Sequence, residues 1–358
     1  MSGDIYSLTK LTAYPDILAD MQAGGPGKLV SVHLMPQNVC NHSCGFCSYR
    51  MDGNKNASKF DESKHIPLDK MLELVDDFYA RGIKGVEITG GGEPLAYPYI
   101  NELLEALMHA DIRVGLVTNG TLWAKVKPEL LQTLSWARVS IDAGNVDAYV
   151  AERKCPRSHW KQAWNAVKVL RKNGVRPEFK LGVSFVLSNH NSEGVFQFVD
   201  RASKSGADNC RLSATYSDLN GDYYDDSEKV FDAVDSSKAA VKRFHGEDGF
   251  EVHNLLPTRV AENEVPHQDY EQCPTKDLLC VVEGEGNVYM CCSWTGSGKG
   301  KYGNFIKHPD GFRGVWNDSA KFRAGFKACD YCDISCLYRA RNLAMNALIG
   351  KGLHTEFI

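Results

Sequence analysis

The stretch Cys40-Asn41-His42-Ser43-Cys44-Gly45-Phe46-Cys47 places three thiols close together, directly after an apolar run from Leu29 to Met35. An iron–sulfur cube is usually held by four cysteine thiolates. A loop that supplies three leaves one coordination position open, as the catalytic sites of zinc enzymes do. The stretch therefore predicts a metal site at which chemistry takes place, with a zinc site or a structural thiol loop as the alternative.

Strand and helix patterns alternate along the chain after this point. The apolar run suits a buried strand that delivers the cysteines from its C-terminal end, where barrel folds keep their active sites. Strands alternating with helices indicate parallel strand–helix–strand units. The predicted strands are Leu29 to Met35, Gly85 to Thr89, Ile112 to Thr118, Ala137 to Asp142, Phe179 to Leu187 and Asn209 to Ser213. The predicted helices are Tyr14 to Met21, Leu68 to Ala80, Ile100 to Ala110, Val126 to Leu134, Trp160 to Asn173, Gly194 to Ser205, Val230 to Phe244 and Leu337 to Ile349.

A glycine-rich turn, Thr89-Gly90-Gly91-Gly92-Glu93-Pro94, follows the second predicted strand. Glycine lets backbone approach a ligand closely, and the carboxylate of Glu93 can accept a hydrogen bond from an ammonium group. Taken alone, the stretch is better explained as an ordinary turn after a strand.

Taken together, the C-x3-C-x2-C spacing, the aromatic Phe46 before the last cysteine and the Gly-Gly-Glu turn resemble the radical S-adenosylmethionine (radical SAM) enzymes. The resemblance implies an incomplete (β/α)6 barrel at residues 30–214 and a [4Fe–4S] cluster held by Cys40, Cys44 and Cys47. In this family the amino and carboxylate groups of SAM chelate the fourth iron. Reduction of the cluster then splits SAM and forms a 5′-deoxyadenosyl radical that takes a hydrogen atom from the substrate.

The resemblance also implies which residues contact SAM. The methionine amine would meet Glu93, Ser140 and Arg153 would hold the carboxylate, and Asp142 would lie near the ribose or the substrate. A strand-end cap or a surface ion pair explains the last three equally well, and Asn119 is more typical of a turn. The implied cofactor-binding residues are Phe46, Gly91, Gly92, Glu93, Asn119, Ser140, Asp142 and Arg153.

Further side chains are expected around the same pocket. Val183, Phe185 and Leu212 on the later strands would pack against the adenine, although ordinary core packing explains them as well. Tyr49 and Arg50, just after the cysteines, are candidates for the pocket lining.

A second cysteine group lies near the C-terminus. It reads Cys273-x12-Gly286-x4-Cys291, then Cys329-x2-Cys332-x3-Cys336. This order resembles the auxiliary-cluster modules of radical SAM enzymes called SPASM and its shortened relative Twitch. The full SPASM pattern ends CX2CX5CX3C with a further cysteine and binds two auxiliary [4Fe–4S] clusters.

This chain departs from the full pattern, because the spacing after Cys332 is shorter and no cysteine follows Cys336. We therefore predict a Twitch-like module with one auxiliary [4Fe–4S] cluster, for which a structural zinc site is the alternative. The predicted ligands are Cys273, Cys291, Cys329 and Cys332, with Cys280 and Cys336 as alternates.

Composition limits the possible partners. The chain has 358 residues, 43% of them apolar, which suits a packed protein of one large domain or two. A net charge of −4 with mixed signs lacks the basic stripe of a nucleic-acid-binding protein. No run reaches the ~18 apolar residues of a membrane helix, and the N-terminus lacks a signal-peptide layout. We expect a cytoplasmic protein, in which clustered cysteines bind metal more often than they form disulfides.

The expected fold class is α/β, with a partial TIM-like barrel followed by a small Cys-rich α+β domain. The expected segments are a lead-in at 1–29, the radical SAM barrel at 30–214, a linker or helical bridge at 215–250 and a Twitch/SPASM-like domain at 251–358.

Three reactions fit the resemblance and differ in the fate of the substrate radical. In dehydrogenation, the auxiliary cluster accepts an electron while a base takes a proton. In epimerisation, a thiol returns a hydrogen atom to the opposite face, and Cys280 and Cys336 are the predicted donors. In peptide maturation, crosslinks form in a ribosomally made precursor. Because 39 residues precede Cys40, we do not expect a leader-binding domain there and rank this third.

We expect oxidation or epimerisation of a small polar substrate, with an external one-electron donor such as flavodoxin or ferredoxin. Neither nucleic acid nor a membrane is an expected partner. A non-catalytic iron–sulfur or zinc scaffold is the hypothesis from another class. The turn from Gly90 to Glu93 argues against a scaffold, which needs no site for the amine of SAM.

Overall fold

The strands form one sheet in the computed structural model, which describes residues 7–49, 61–174, 176–188, 190–215, 227–262, 268, 270–332 and 336–350. They are β1 Ser31–Leu34, β2 Gly85–Ile88, β3 Arg113–Thr118, β4 Leu134–Ser140, β5 Lys180–Leu187, β6 Asn209–Ala214, β7 Glu251–Asn254, β8 Leu279–Val282, β9 Asn287–Tyr289 and β10 Lys301–Asn304. Their order is β10-β9-β8-β1-β2-β3-β4-β5-β6-β7. All neighbours from β8 through β1 to β7 are parallel. The predicted α/β class is confirmed.

Helices follow most of the predicted apolar periodicities. They are α1 Pro15–Gln22, α2 Leu68–Arg81, α3 Ile100–His109, α4 Pro128–Leu131, α5 Val146–Arg153, α6 Ser158–Asn173, α7 Val195–Ser203, α8 Ser227–Phe244, α9 Leu256–Glu262, α10 Thr275–Leu278, α11 Gly311–Asp318, α12 Ala320–Gly325, α13 Ala328–Tyr331 and α14 Arg339–Ile349. Helix α2, for example, buries Met71, Leu74 and Phe78. It ends at Gly82, whose φ of 70° favours glycine. No helix of these ranges is long and apolar enough to cross a membrane.

The region from Val126 to Asp142 differs from its prediction. A helix was expected as far as Leu134, but α4 spans only Pro128–Leu131 and β4 begins at Leu134. Leu134 pairs with Val114 of β3 and is fully buried. Strand pairing therefore determines the conformation of a residue whose local pattern favours a helix.

Helix α5 is not predicted from the sequence pattern. Its buried residues include Glu152 and Arg153, so it lacks the apolar stripe by which other helices are recognised. The usable signal is Asn145, whose Oδ1 accepts from the N–H groups of Asp147 at 3.0 Å and Ala148 at 2.9 Å. This is an N-cap, and it begins a helix that ends at Arg153.

Side chains alternate between the two faces of the parallel sheet. One set packs against the helices and forms the main core. The other set we call the inner face: His33, Glu87, Arg138, Ser184 and Arg211, which the strand registers put on one side. On the same side Trp136 lies across Gly115, where a Cβ would come within 2.2 Å of the indole ring.

The sheet continues beyond the six predicted strands. Strand β7 pairs with β6 and β8 pairs with β1, so strands from the expected C-terminal segment flank the barrel strands on both sides. Helix α8 of the expected linker packs on α7, with the rings of Phe196 and Phe244 5.3 Å apart. The division into the four segments stays a prediction.

A second buried cluster surrounds the C-terminal cysteines. Its members include Met35, Tyr270, Tyr289, Trp294 and Phe326, and several half-buried cysteines pack against it. Because Met35 follows β1 directly, this cluster joins the C-terminal region to the strand that leads into the first cysteines.

Candidate active site

The cysteine loop, Pro36 to Tyr49, packs against the glycine turn that follows β2. The N–H groups of Gly92 and Glu93 donate to the carbonyls of Gln37 at 3.1 Å and Val39 at 2.8 Å. The Gln37 amide donates back to the Glu93 carbonyl at 2.7 Å. A Cβ on Gly92 would lie 2.1 Å from the Val39 oxygen, so this approach requires glycine. The two sequence motifs are therefore one structural unit.

The C-terminal end of α5 holds the loop from the other side. The N–H of Ser43 donates to the Arg153 carbonyl at 3.2 Å, and the N–H of Gly45 donates to the Glu152 carbonyl at 2.9 Å. The Arg153 guanidinium also lies 3.8 Å from the Cys44 sulfur. A helix that the sequence pattern missed thus positions the middle cysteine.

The thiols of Cys40 and Cys47 lie close enough to Cys44 to affect its pKa. Burial raises the pKa of Cys44 to about 12; Arg153 opposes this rise, whereas Cys47 and Cys40 add to it. Metals bind the deprotonated thiolate, so a metal bound here would displace the proton that each thiol otherwise keeps. Three neighbouring thiols beside a guanidinium fit a [4Fe–4S] cluster, and their assignment as its ligands stays a prediction.

Glu93 is buried and its carboxylate is largely engaged within the protein. Oε1 accepts from the N–H of Leu95 at 3.1 Å and from the hydroxyl of Thr118, and Oε2 accepts from the N–H of Asn119 at 2.8 Å. Burial raises the pKa of this carboxyl above its ordinary value, although the three hydrogen bonds oppose the rise. Glu93 therefore connects the glycine turn to the end of β3. Because a carboxylate has about four acceptor sites, these three hydrogen bonds leave one available for a SAM amine.

Asn119 connects the end of β3 to the cysteine loop. Its Nδ2 donates to Oδ1 of Asn41 at 2.8 Å, and its Oδ1 accepts from the hydroxyl of Thr121 at 2.7 Å. Asn41 completes the ring by donating to the Thr121 hydroxyl at 2.8 Å. The observed contacts of Asn119 are those of a positioning residue, and its contact with SAM stays a prediction.

Arg153 and Asp142 form a buried ion pair, with side chains 5% and 1% exposed. Burial alone would lower the pKa of Arg153, but the Asp142 carboxylate raises it, so the guanidinium remains charged. Asp142 has a φ of 58°, and its Oδ1 accepts from the N–H of Val186 at 2.9 Å. The Phe46 ring centroid lies 5.8 Å from the guanidinium carbon. The structure therefore brings Phe46, Asp142 and Arg153 together beside Cys44.

The other residues expected near SAM divide between the two faces of the sheet. Gly91 is buried within the glycine turn. Ser140 lies on the side of the inner face, with its hydroxyl 3.4 Å from that of Ser184. Val183, Phe185 and Leu212 all belong to the main core.

The expected adenine contacts of these three apolar side chains are not supported. Phe185, for example, packs on Phe198 of α7 with ring centroids 5.2 Å apart. Alternation along β5 and β6 turns their polar neighbours Ser184 and Arg211 to the inner face instead. Sequence periodicity separates the two faces of a strand but does not say which face is the pocket, so the contact of these residues with adenine stays a prediction.

The inner face is strongly charged. Nε2 of His33 lies 3.5 Å from a Glu87 carboxylate oxygen. Burial lowers the pKa of His33; Glu87 opposes this, and Arg341 of α14 and Arg138 lower it further. Burial would raise the pKa of Glu87, but His33, Arg138, Arg211 and Arg341 together hold it below its ordinary value. At neutral pH a neutral imidazole and a carboxylate therefore lie among guanidinium cations.

Cys273, Cys332 and Cys336 lie near enough to Cys291 to raise its pKa, and we call these four residues the C-terminal thiol group. Burial raises the pKa of Cys291 well above its ordinary value, and Cys292, followed by the other three members, adds to the rise. Burial likewise raises the pKa of Cys273 to about 12, with Cys336 again contributing. Four thiols in one region suit an auxiliary cluster, and their assignment as its ligands stays a prediction.

Two hydrogen bonds fasten this group. The Tyr270 hydroxyl donates to the Cys336 sulfur at 3.2 Å, and Nδ2 of Asn342 donates to the Cys273 sulfur at 3.5 Å. Asn342 also donates to the Tyr270 hydroxyl at 3.0 Å. Helix α14 therefore positions both Cys273 and Cys336.

Cys329 and Cys280 lie apart from this group. Cys329 is exposed, and the carboxylates of Asp330 and Glu271 are among its charged surroundings. Cys280 is fully buried in the main core. It pairs in register with Val32, whereas its neighbour Val281 pairs with His33, so Cys280 lies on the face of β8 opposite the inner face. The observed placement supports neither Cys329 as a ligand nor Cys280 as a hydrogen donor, and it makes Cys336 a member of the thiol group.

Cys292 is a functional candidate that the sequence does not distinguish from Cys291. Its sulfur lies 3.4 Å from the Tyr338 hydroxyl, which lies 3.4 Å from Nδ1 of His33. Burial raises the pKa of Cys292 to about 11, the Tyr338 hydrogen bond opposes this, and Glu87 adds to the rise. Cys292 therefore adjoins both the C-terminal thiol group and the inner face.

Tyr49 lies between the two cysteine regions. Burial raises its pKa well above the ordinary value, and both Cys292 and Cys47 contribute to the rise. The position is consistent with the expected pocket lining. Arg50 lies outside the residues that the structure describes.

Residues 34–202 match the family model of the Radical SAM superfamily. This region contains the cysteine loop, the glycine turn and α5, which are the parts that surround Cys44. The match confirms the predicted resemblance and implies a [4Fe–4S] cluster and SAM as cofactors.

Two curated relatives are similar to this chain. It is 25% identical to the probable GTP 3′,8-cyclase of Sulfolobus acidocaldarius over 52% of this chain and 56% of that protein, so it spans little more than half of that relative. It is 26% identical to the AdoMet-dependent heme synthase of Methanosarcina barkeri over 79% of this chain and 81% of the relative.

Solved structures share the fold at lower identity. SuiB of Streptococcus suis bound to the precursor peptide SuiA superposes with a TM-score of 0.63 at 16% identity, covering 91% of this chain and 73% of SuiB. SuiB bound to S-adenosylmethionine superposes with a TM-score of 0.61. These likenesses extend from the barrel strands into the C-terminal region and show the fold.

Proposed function

We propose that this radical SAM enzyme oxidises a small anionic substrate bound against the inner face. The observation that carries the proposal is the set of arginines around the His33–Glu87 pair. Cys292 connects this pair to the C-terminal thiol group through Tyr338. Binding of an anion, removal of a proton and acceptance of an electron would then occur on one side of the sheet.

The N-terminal half of the site would hold the cofactors. The cluster and SAM, when bound, supply the 5′-deoxyadenosyl radical that abstracts a hydrogen atom from the substrate. Cys40, Cys44 and Cys47 would be the cluster ligands. Arg153, which lies 3.8 Å from the Cys44 sulfur, and Phe46, which packs on that guanidinium, would contact SAM.

The charge of the substrate follows from the arginines. Arg138, Arg211 and Arg341 all lie near enough to Glu87 to lower the pKa of that carboxyl. Guanidinium groups stay protonated and pair with carboxylate or phosphate through two parallel hydrogen bonds. A carboxylate or phosphate group of a substrate would therefore find several guanidinium donors at the inner face.

His33 is the proposed proton acceptor. Its pKa is lowered mainly by burial, so the imidazole is neutral and able to take a proton at neutral pH. Glu87, at 3.5 Å, would stabilise the imidazolium that forms. Loss of a hydrogen atom, a proton and an electron converts a C–H and O–H pair into a carbonyl.

The C-terminal thiol group would hold the electron acceptor. Four thiols suit an auxiliary [4Fe–4S] cluster, which when bound accepts one electron. Tyr49 and Cys292 occupy the space between this group and the rest of the site.

Epimerisation is the competing outcome, because Cys292 is a thiol close to the proposed substrate position. In that reaction Cys292 would return a hydrogen atom to the substrate radical. Turnover in heavy water distinguishes the two: deuterium enters a carbon of the product only by epimerisation. Deuterium in a carbon of the product would contradict oxidation. Its loss in Cys292→Ala would identify Cys292 as the hydrogen-atom donor.

Peptide maturation is a second candidate, favoured by the shared fold with SuiB, which was solved bound to its precursor peptide. It predicts that a short peptide increases SAM cleavage more than any small anion does.

The test of anion binding is the formation of 5′-deoxyadenosine by the reconstituted enzyme. Hydroxy acids and sugar phosphates are each paired with a neutral counterpart, a methyl ester or the free sugar. We expect stimulation by anions only. Arg211→Gln should raise KM roughly ten- to hundredfold, the effect of losing one charged hydrogen bond. Arg113→Gln at the exposed pair with Glu178 is the matched control. Equal stimulation by the neutral compounds, or an unchanged KM in Arg211→Gln, would contradict the proposal.

A further inference from the structure

We propose that His42, Cys155 and His159 bind a zinc ion that clamps the cysteine loop to the connection between α5 and α6. This site is separate from the three cluster thiols and from the C-terminal thiol group. His42 lies between the cluster cysteines Cys40 and Cys44, and Cys155 belongs to neither of the two cysteine groups.

The three side chains already converge. One nitrogen of each imidazole and the Cys155 sulfur all lie within 4.8 Å of one another. Nε2 of His42 and Nδ1 of His159 are 2.9 Å apart. Zinc with bond lengths of ~2.0–2.3 Å separates tetrahedral ligand atoms by roughly 3.3–3.7 Å. The two nitrogens are therefore somewhat closer than in a zinc site and would move apart by roughly 0.4 Å to bind the ion.

These ligands come from two segments that the backbone holds together. His42 belongs to the cysteine loop, Cys155 to the link between α5 and α6, and His159 to the first turn of α6. Hydrogen bonds from Ser43 and Gly45 to the end of α5 flank the same junction. A metal here would therefore strengthen an attachment that exists in the backbone.

Two of the three ligands are sheltered from solvent, and His159 is half-buried. His42 is 2% exposed and Cys155 is 9% exposed. The Tyr149 ring packs edge-on against His42 with centroids 6.2 Å apart, and Trp160 packs against Tyr149 at 5.3 Å. Histidine and thiol groups are the usual protein donors to zinc, and with three protein ligands a water would fill the fourth position, as in zinc sites that keep one position open.

A simple hydrogen bond between the two histidines explains less of the arrangement. It accounts for the 2.9 Å contact. It gives no reason for the Cys155 sulfur, which lies within 4.8 Å of one nitrogen of each imidazole.

The chemistry of the donors favours zinc over the other common cations. Two imidazoles and one thiolate are nitrogen and sulfur ligands, which Zn²⁺ accepts in tetrahedral geometry. Magnesium and calcium prefer oxygen ligands. Iron in the same preparation would be bound mainly as clusters by the other cysteines, so zinc and iron can be counted separately.

The experiment measures zinc and iron per chain in full-length protein purified anaerobically, then desalted. We expect about one zinc per chain in addition to the iron. His159→Ala and Cys155→Ser should each lose the zinc while keeping the iron. His109→Ala on the exposed end of α3 and Cys210→Ala in the core are the matched controls, and both should retain the zinc.

A second measurement separates loss of zinc from loss of folding. The cluster held by the cysteine loop should lose its visible absorbance in air several times faster in His159→Ala than in His109→Ala, because the clamp is gone. Zinc that is absent from the natural protein, or that persists in both His159→Ala and Cys155→Ser, would overturn the proposal.

Discussion

The two cysteine groups provide similar ligands but are assembled in different ways. The first comes from one loop, and its members Cys40, Cys44 and Cys47 are separated by no more than three residues. The second joins Cys273 and Cys291 to Cys332 and Cys336, which follow dozens of residues later. Sequence spacing identifies the first group because near neighbours in the chain must be near in space. It does not identify the second, whose membership depends on how separate segments pack.

The largest expected effect tests whether the first group works as one unit. Cys44→Ala should abolish formation of 5′-deoxyadenosine and remove about four irons, leaving about four in the C-terminal group. The reason is that two remaining thiols are too few to hold a cluster that the protein binds through three. Iron, acid-labile sulfide and 5′-deoxyadenosine are the measurements. Loss of all the iron would mean that the two groups are not independent.

The next prediction tests the membership of the second group. Cys336→Ala should lose about four irons and the oxidised product, but keep SAM cleavage without substrate. Cys329→Ala, the matched control, should keep its iron because this thiol is exposed and lies apart. The reverse result would restore Cys329 as a ligand and exclude Cys336.

A stability measurement tests how firmly α5 holds the first group. Arg153→Met leaves Asp142 as an unpaired buried carboxylate, which should cost about 3–5 kcal/mol of the free energy of unfolding. Urea unfolding of the cluster-free protein measures this quantity. Arg113→Met breaks an exposed ion pair and should cost no more than about 1 kcal/mol. Equal effects of the two variants would mean that the buried pair is not a structural support.

A smaller loss of stability is expected at the second group. Asn342 accepts from the N–H of Thr275 at 3.2 Å and from its hydroxyl at 2.6 Å. Asn342→Leu leaves both donors buried and unsatisfied, which should cost roughly 1–3 kcal/mol. Asn346→Leu on the same helix removes an exposed contact and should change stability by less than about 0.5 kcal/mol. The same urea titration compares the two, and an unchanged Asn342→Leu would show that α14 does not position the thiols.

The smallest expected effect is that of pH on kcat/KM near neutrality. It tests whether His33 on the inner face is the proton acceptor. The pKa of His33 lies below its ordinary value. His33 is therefore a competent base above that pKa, and kcat/KM for oxidation should fall about tenfold per pH unit only below it. His33→Gln should slow oxidation and remove this acid limb. An acid limb that persists in His33→Gln would assign the proton acceptor to another group.

Much of the fold follows from local patterns. The parallel α/β sheet, the cysteine loop after β1 and the glycine turn after β2 are predicted because periodicity and short spacings are properties of neighbouring residues. The two exceptions have different origins. Helix α5 buries Glu152 and Arg153 and so has no apolar stripe in its own sequence. Leu134 belongs to a strand because Val114, on a separate segment, pairs with it.

The candidate site is predicted less completely, because its charges come from strands far apart in sequence. Arg138 and Arg211 stand near Glu87 only through the order of the sheet, and no spacing relates them. Likewise, alternation on β5 allows either Phe185 or Ser184 to face the pocket. The positions of the helices, not the strand itself, decide that Phe185 is core.

By itself, the sequence determined the chemistry that this protein can carry: a three-thiol loop, a Gly-Gly-Glu turn and a further supply of cysteines, all readable because their spacing is short. The tertiary structure alone decided which thiols meet, as Cys336 joins the C-terminal group while Cys280 is buried in the core. It also decided which charges share the inner face. The physical reason is that contacts between distant segments depend on strand order, register and face, and these are settled only when the whole sheet and its helices pack together.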